Sequence, residues 1–523
     1  MKRAKLSLLV ALLSSTLYAE SIDALLDDIE KKTDLSEKTK LANSGVSFVW
    51  TRDDLERMQI TNLKQILKTA YPFGYSENRY GLSDPFAYNS NQPFLSQPMR
   101  LFIDNQEITS GLYGSGLLLM GDANIDWVDH VEIYTQAPTY EYATESTMVL
   151  IKLYSKSVKK DEGSKIKLAG GSYGASTIDA YQAGWIGCDW NYFAFVLHSN
   201  DKRQKYKSFD TTLSRDKYID ATVATLNYKD THILLNAFSQ DRDGFANASI
   251  DATPTKSKLK AKYLHIGVDG KIDNFGYLFS YSYTNIKSEM LDDVVPNPSL
   301  GLPLASAISY THDYVLTGEL KYTLKQENNK LLLGTKYRTK RAKWDKSRLN
   351  GVNMAVNRDS SIQNIVTLYG EDRYSLASNS IITAGIEHQR VTNSDSVQND
   401  DLFLYRLSHT YTTDNWTLKT LYSHIEVPLA PYLIGSTTFL SDPQSYHKLE
   451  KIESIVENII YKNNNSTYEI IVDYSKGKNY YLPLDQGKIV NYQKAWNLAL
   501  KKAEPRKIKE VRKMVRPAVS KVE

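Results

Sequence analysis

The chain has a single cysteine, Cys188, in 523 residues, which excludes a disulfide scaffold and suits an exported protein that avoids stray thiols. Cys188 lies far from the N-terminus, so it is no lipid-anchor cysteine. No window of some 18 apolar residues follows the N-terminal region, which leaves no helical membrane span. The nine histidines are scattered, and no His-x-x-x-His pair offers metal-ligand spacing. "DRDGFANASID" (241–251) lacks the twelfth-position Glu of a calcium loop and reads as a turn. "GGSYG" (170–174) lacks the Lys-Ser/Thr and following helix of a phosphate loop, and reads as a glycine turn between strands. The net charge of +4 argues for no nucleic-acid partner. These absences point away from an enzyme, and no catalytic, cofactor or metal site is expected.

What is abundant is tyrosine, 37 residues against 14 phenylalanines. A ring with a polar tip favours strands and membrane interfaces. The N-terminus "MKRAKLSLLVALLSSTLYAE" places Lys2, Arg3 and Lys5 before the apolar run Leu6–Leu13 and small residues. That order predicts a signal peptide over 1–19 and export. Residues 20–45 carry Ile22, Leu25, Leu26 and Ile29 at helical spacing among charges, a short amphipathic helix and linker. A compact α/β unit is expected over 46–160. It opens with the strand "VSFVW", then Thr51 as an N-cap with Asp54 three residues on, and Leu55 inside the first of two short helices. A Tyr/Asn/Pro-rich loop over 71–94, the strand "RLFIDNQEI", and a strand–turn–strand over 128–156 complete it.

From about 161 to 500 the pattern is strand, turn, strand, loop. In "LHIGVDGKIDNFGYLFSYSYTN", Leu264, Ile266 and Val268 alternate with His265, Gly267 and Asp269, and a hairpin turn is placed at Asp269–Gly270. In "HDYVLTGELKYTLK", Leu316 and Leu320 share one face while Asp313, Thr317 and Glu319 share the other. About fourteen to sixteen such strands of about 10–14 residues are drawn. A soluble sandwich also alternates. Strand length, tight turns alternating with longer loops (201–216, 243–257, 288–310, 342–358) and tyrosine richness favour a transmembrane antiparallel β-barrel. The end "AWNLALKKAEPRKIKEVRKMVRPAVSKVE" reads as basic and helix-like, with 501–523 as a tail. It lacks the terminal aromatic strand expected for barrel assembly.

An α/β unit followed by a barrel resembles the TonB-dependent outer-membrane receptors, a plug domain inside a barrel. "FVWTRDDLERM" (48–58) and "LKQILKTAYPFG" resemble the opening strand and helices of the plug. "RLFIDNQEI" is similar to the Ile-Asp-Gly strand, with Asp104 kept and Asn105 in place of glycine. "VDHVEIYTQAP" keeps Glu132 and Pro138, with Ala137 for glycine. "VLIKLYSK" resembles the closing segment, with Val149 for glycine, Lys152 for asparagine and Lys156 kept. Thr51, Asp54, Leu55, Asp104, Glu132, Pro138 and Lys156 are thus the plug signature. Two departures stand out. No extended TonB box is visible in 20–45, and the chain has room for about sixteen strands where the family has 22, so a short or truncated barrel is expected.

The resemblance implies a receptor that takes up a scarce solute, such as a siderophore, metal complex or vitamin-like cofactor, by TonB-linked plug movement. Outer-membrane lipid, the barrel-assembly machinery and the TonB complex are the implied partners, and the outer membrane the location. Within the 71–94 loop, Tyr75, Arg79, Tyr80 and Tyr88 offer stacking faces and a fixed cation for an anionic or aromatic chelate, or else pack the loop against the wall. The alternative is a surface-binding or structural protein with a static plug, or a truncated receptor.

Overall fold

The computed structural model describes residues 45–69, 82, 99–135, 138–208, 211–244, 256–291, 295–297, 302–304, 306–349, 352–353, 360–394, 399–428, 449–463, 466–484 and 488–503. The predicted signal peptide and most of 20–45 lie outside them. So do Tyr75, Arg79, Tyr80 and Tyr88.

The plug is a five-stranded sheet of β1 (Val46–Trp50), β2 (Met99–Ile103), β3 (Gln106–Ile108), β4 (Val128–Thr135) and β5 (Val149–Ser155), in the order β1-β4-β5-β2-β3. β2 and β5 run parallel and the other pairs antiparallel. Its strands are buried on both faces, which is why they read as near-continuous apolar runs. The Arg52–Arg57 helix starts where expected: Thr51 accepts from the Asp54 N–H while Asp54 accepts from the Thr51 N–H, a reciprocal cap, and Leu55 points into the core. The helix Leu63–Leu67 follows, capped by Asn62 and Gln65 in the same way.

"RLFIDNQEI" is a hairpin and not a single strand. Asp104 takes a left-handed conformation (φ 52°), and β3 folds back on β2. A short acidic side chain tolerates that conformation, and here the Asp104 carboxylate accepts from the Ser155 N–H and hydroxyl, both at 2.9 Å.

The helical turn Val158–Asp161 hands the chain to the barrel. The first barrel strands are β6 (Gly163–Gly170), β7 (Ser176–Ile186) and β8 (Trp190–Asp201). A loop hairpin, β9 (Tyr206–Ser208) and β10 (Thr211–Leu213), precedes β11 (Lys217–Tyr228), β12 (Thr231–Gly244), β13 (Lys256–Ile272) and β14 (Phe275–Leu291). A second loop hairpin, β15 (Val295–Asn297) and β16 (Leu302–Leu304), precedes β17 (Ala307–Lys325) and β18 (Asn329–Leu349). The two-residue β19 (Val352–Asn353) precedes β20 (Ser360–Ala377), β21 (Ser380–Asn393), β22 (Asp400–Thr412) and β23 (Trp416–Val427). β24 (Glu450–Asn463), β25 (Ser466–Leu484) and β26 (Lys488–Ala503) complete the wall.

These strands form a closed antiparallel barrel in which β26 neighbours β6. Apart from short β19, that makes sixteen long strands among the described residues, at the top of the range drawn from sequence. Closure leaves no unpaired sheet edge, the condition for a sheet in lipid. The helix-like reading of residues 495–503 is corrected: they are strand, Ala495 opposite Ser475 and Ala503 opposite Thr467. Ladder pairing with β25 decides their conformation over composition.

The Asp269–Gly270 turn is also corrected. β13 continues to Ile272, and the turn falls at Asp273 (φ 53°) and Asn274. Gly270 serves close approach instead, since a Cβ there would lie 2.5 Å from the Tyr277 hydroxyl.

Alternation holds around the wall. Leu264, Ile266, Phe279, Leu316 and Leu320 are exposed on the outer face, whereas His265, Asp269, Asp313 and Glu319 are buried inside. From Phe275 to Tyr283 the outward positions make a belt about 20 Å tall, taking 3.4 Å per residue and a tilt near 40°. At the tight-turn end, aromatic pairs ring this belt: Trp190–Tyr228 at 4.6 Å, Phe275–Tyr322 at 4.8 Å and Trp416–Tyr461 at 4.6 Å between centroids. Such a girdle belongs at a lipid–water boundary.

Candidate functional site, the plug and its charged seat

Glu132 and Lys156 make contacts that tie strands of the plug to one another and to the barrel. Glu132 on β4 accepts from the hydroxyls of Tyr134 and Tyr154, each at 2.6 Å. Opposite it in register stands Lys152, whose ammonium lies 5.0 and 4.8 Å from the Tyr142 and Tyr154 ring centroids. Burial depresses the Lys152 pKa, and the Glu132 charge opposes that. Lys156 donates to the Asp126 carbonyl at 2.6 Å and sits 5.1 Å from the Tyr181 ring of the barrel, fixing the hand-over. Arg52 joins Asp129 (2.5 Å) and Asp161 (2.7 Å), tying the first helix to β4 and to that last helical turn. Pro138 is buried.

The plug meets the barrel in two chemically different ways. Against β7 to β14 its apolar core is continuous with the wall, through Phe193, Phe195, Val223, Leu234 and Phe238 among others. Towards β17 to β22 the contact is largely ionic. Arg100 of β2 pairs with Glu107 of β3 at 2.9 Å and lies 3.6 Å from Glu145. Arg338 of β18, 1% exposed, bonds both Glu107 and Glu145, the latter at 2.9 Å. Lys336 reaches Glu145 at 3.3 Å.

Farther round, the Tyr140 N–H donates to Glu371 at 3.0 Å, and the Arg406 guanidinium lies 3.5 Å from the Tyr140 ring centroid. Arg406 also pairs with Glu371 at 2.7 Å, and Glu387 accepts from the Glu145 N–H at 2.7 Å. A smaller apolar cluster on β20 to β24 meets the plug at Met148. Burial alone would raise the Glu145 pKa, but the charges of Arg338, Lys336 and Arg100 hold it below the usual carboxylate range.

Two further tethers frame this seat. Towards the tight-turn end, Asn105 donates to Asp269 of β13 at 3.1 Å and Gln106 does so at 2.8 Å. His232 lies 3.0 Å from the same Asp269 and 3.4 Å from Asp104. Asn105 thus supplies a plug-to-barrel bond. Towards the loop end, Asp122 pairs with Arg242 at 2.7 Å. Against its burial, the charges of Arg242, Lys217 and Lys64 bring the Asp122 pKa down to about 2.

Sequence reasoning missed Arg100, Glu107, Glu145, Arg338 and Glu371. Their signal was present: Lys336, Arg338 and Lys340 take the alternate positions to Leu333, Thr335 and Tyr337 on a strand whose other face meets lipid. Among the described residues no group of three His, Cys, Asp or Glu side chains is placed to hold a metal ion.

No family model matches the chain, and no curated protein matches its sequence. Solved structures do resemble it. The ferric yersiniabactin uptake receptor FyuA from Yersinia pestis superposes with a TM-score of 0.63 at 12% identity, over 88% of this chain and 76% of that one. The FrpB iron transporter from Neisseria meningitidis gives 0.65 at 12% identity, over 88% and 77%. The copper transporter OprC gives 0.65 at 13% identity, over 88% and 76%. This is the fold of plugged outer-membrane receptors. At such identities the likeness speaks for architecture, and the chemistry must be read from this chain.

Proposed function

We propose that this protein is an outer-membrane receptor that captures a scarce solute on its loop side and admits it past the plug. The solved structures of this fold include a ferric yersiniabactin uptake receptor, an iron transporter and a copper transporter, which favours an iron chelate or another metal complex as the cargo. The carrying observation is the unequal seat: mainly apolar on the β7–β14 side, with ionic tethers at Asp122–Arg242 and Asp269, and mainly ionic on the β17–β22 side. Water can replace the partners of Arg338 and Glu145 when the plug shifts, whereas parting the apolar side exposes hydrocarbon. Solute therefore passes between the plug and the β17–β22 wall, with the opposite wall as the hinge. A driving force is needed, because the buried ion pairs keep the plug closed. The TonB complex is the partner that the family resemblance supplies for it.

The test is uptake of a panel of ferric chelates, copper complexes and cobalamin by cells with and without the gene, each with and without a proton uncoupler. Gene-dependent, uncoupler-sensitive uptake of one member is the expected result. Identical uptake across the panel would sink the proposal. A second reading, a static plug under a surface-binding barrel, is favoured by the Asn105–Asp269 bond between plug and barrel. It requires that the wild-type chain leave all uptake at the level of the deleted strain.

A further inference from the structure

The charged seat leaves one cation unaccounted for. Along the inner face of β18, Lys336, Arg338 and Lys340 succeed one another toward the loop end. Glu107 and Glu145 hold the first two. Lys340 stands between Val315 of β17 and Gln363 of β20 and is 1% exposed. It has no hydrogen bond or ion pair among the described residues.

The carboxylates nearby are all engaged. Glu107 holds Arg100 with one oxygen and Arg338 with the other. Glu145 holds Arg338 with one and Lys336 with the other. Asp313, on the neighbouring strand, accepts from the Ser110 hydroxyl at 2.8 Å and from the Gly111 N–H. The charged groups that act on Lys340 are Arg100, Glu145, Arg338 and Glu107, two of them cations themselves. Both guanidinium groups also keep a buried Nε–H with no acceptor among the described residues.

An ammonium shut away from water without a partner costs free energy. The seated plug bears that cost, and lifting the plug relieves it by letting water or an anion reach the nitrogen. A ligand that binds only the lifted state shifts the population toward it. We infer that Lys340 is the trigger site for an oxyanion, a carboxylate or phosphate group carried by the solute. Lys340 and Arg338 both stay on β18 when the plug lifts, with α-carbons about 7 Å apart along the strand. An anion between them takes the place of Glu107 and Glu145 on Arg338 and so keeps the latch open. The inference rests on the β17–β22 seam as the path of the solute and adds the charge that the solute carries.

The test uses the purified full chain in neutral detergent, with Cys188→Ser and a reporter thiol, Leu101→Cys, buried on β2 of the plug. Thiol labelling is followed in citrate, inorganic phosphate and chloride at equal ionic strength. Labelling of this parent should rise with the oxyanion, about a hundredfold at a hundred times its dissociation constant. Whichever of citrate and phosphate acts at the lower concentration separates a carboxylate trigger from a phosphate one. Chloride should change the rate by less than about twofold, since buried pairs are little screened. Lys340→Met should label about tenfold more slowly than the parent, because the unpartnered charge is gone, and should ignore both oxyanions. A role in packing alone predicts the opposite sign. Lys340→Arg should still respond, and Lys229→Met, on an exposed tight turn, should match the parent. Heat-modifiable migration checks that each variant is folded. A parent indifferent to both oxyanions overturns the inference, as does chloride acting as strongly as they do. So does a Lys340→Met variant that labels as fast as the parent or still responds. Labelling involves no transport, so its failure leaves the uptake proposal standing, and failure of the uptake panel leaves the trigger site standing.

Discussion

Replacing Arg338 by methionine tests the charged seat most directly. Arg338 is buried and bridges two plug carboxylates separated from it by 231 and 193 residues in sequence. Removing one member of a buried ion network costs about 3–5 kcal/mol, because a charge is left unpaired in a low-dielectric site. Here the loss falls near the lower end. Glu107 retains Arg100 at 2.9 Å and Glu145 retains Lys336 at 3.3 Å, so neither carboxylate is wholly abandoned. About 3 kcal/mol corresponds to roughly a 150-fold rise in the population with the plug unseated.

The single native thiol makes this measurable. In a Cys188→Ser background, Leu101→Cys places a reporter on β2 at a fully buried position. Its labelling rate tracks the unseated population when reclosing is fast. Arg338→Met should label about two orders of magnitude faster, and Glu145→Gln added to it should recover part of the difference. Rates within twofold of the parent would show that the plug is held by its apolar wall, and the latch argument would fail.

Three further outcomes follow from the same contacts. Asn105→Gly removes the 3.1 Å bond to Asp269 and should speed Leu101→Cys labelling about tenfold, the worth of a hydrogen bond to a charged group. Leu316→Arg puts a charge on the exposed outer belt and should destabilise the barrel in lipid by about 2–4 kcal/mol, read as a lower urea midpoint in vesicles. Asp122 and Glu145 have folded-state pKa values below the unfolded carboxylate range, so their contribution is complete above about pH 4 and is lost as pH falls through the folded values. Labelling should therefore be flat from pH 5 to 8, once corrected for thiolate fraction, and accelerate below pH 4.

Much of the fold was legible because strand alternation and helix capping are local. Thr51 and Asp54 announced the first helix, since a cap needs only residues three apart. Leu316 and Glu319 fell on opposite faces as written, because pleating fixes the side-chain period at two. Where local signals competed, the reading slipped. Asp269–Gly270 resembles a turn, yet packing of Tyr277 over Gly270 keeps the strand going. Residues 495–503 resemble a helix, yet the β25 ladder makes them strand. The charged seat stayed hidden for a different reason, since pairs such as Glu107 with Arg338 exist only after the barrel closes around the plug.

The sequence by itself therefore determined a barrel wall with distinct faces and the capped helix and strands of the N-terminal unit. Those properties follow from backbone periodicity and short-range bonds, which act before any distant contact forms. The tertiary structure alone decided that the plug leans mainly through hydrocarbon on the β7–β14 wall and mainly through charge on the β17–β22 wall. It also decided that Lys340 is buried near Arg100 of the plug with no acceptor among the described residues. Both depend on curvature and register, which bring residues more than a hundred positions apart within a few ångströms and which no local pattern encodes.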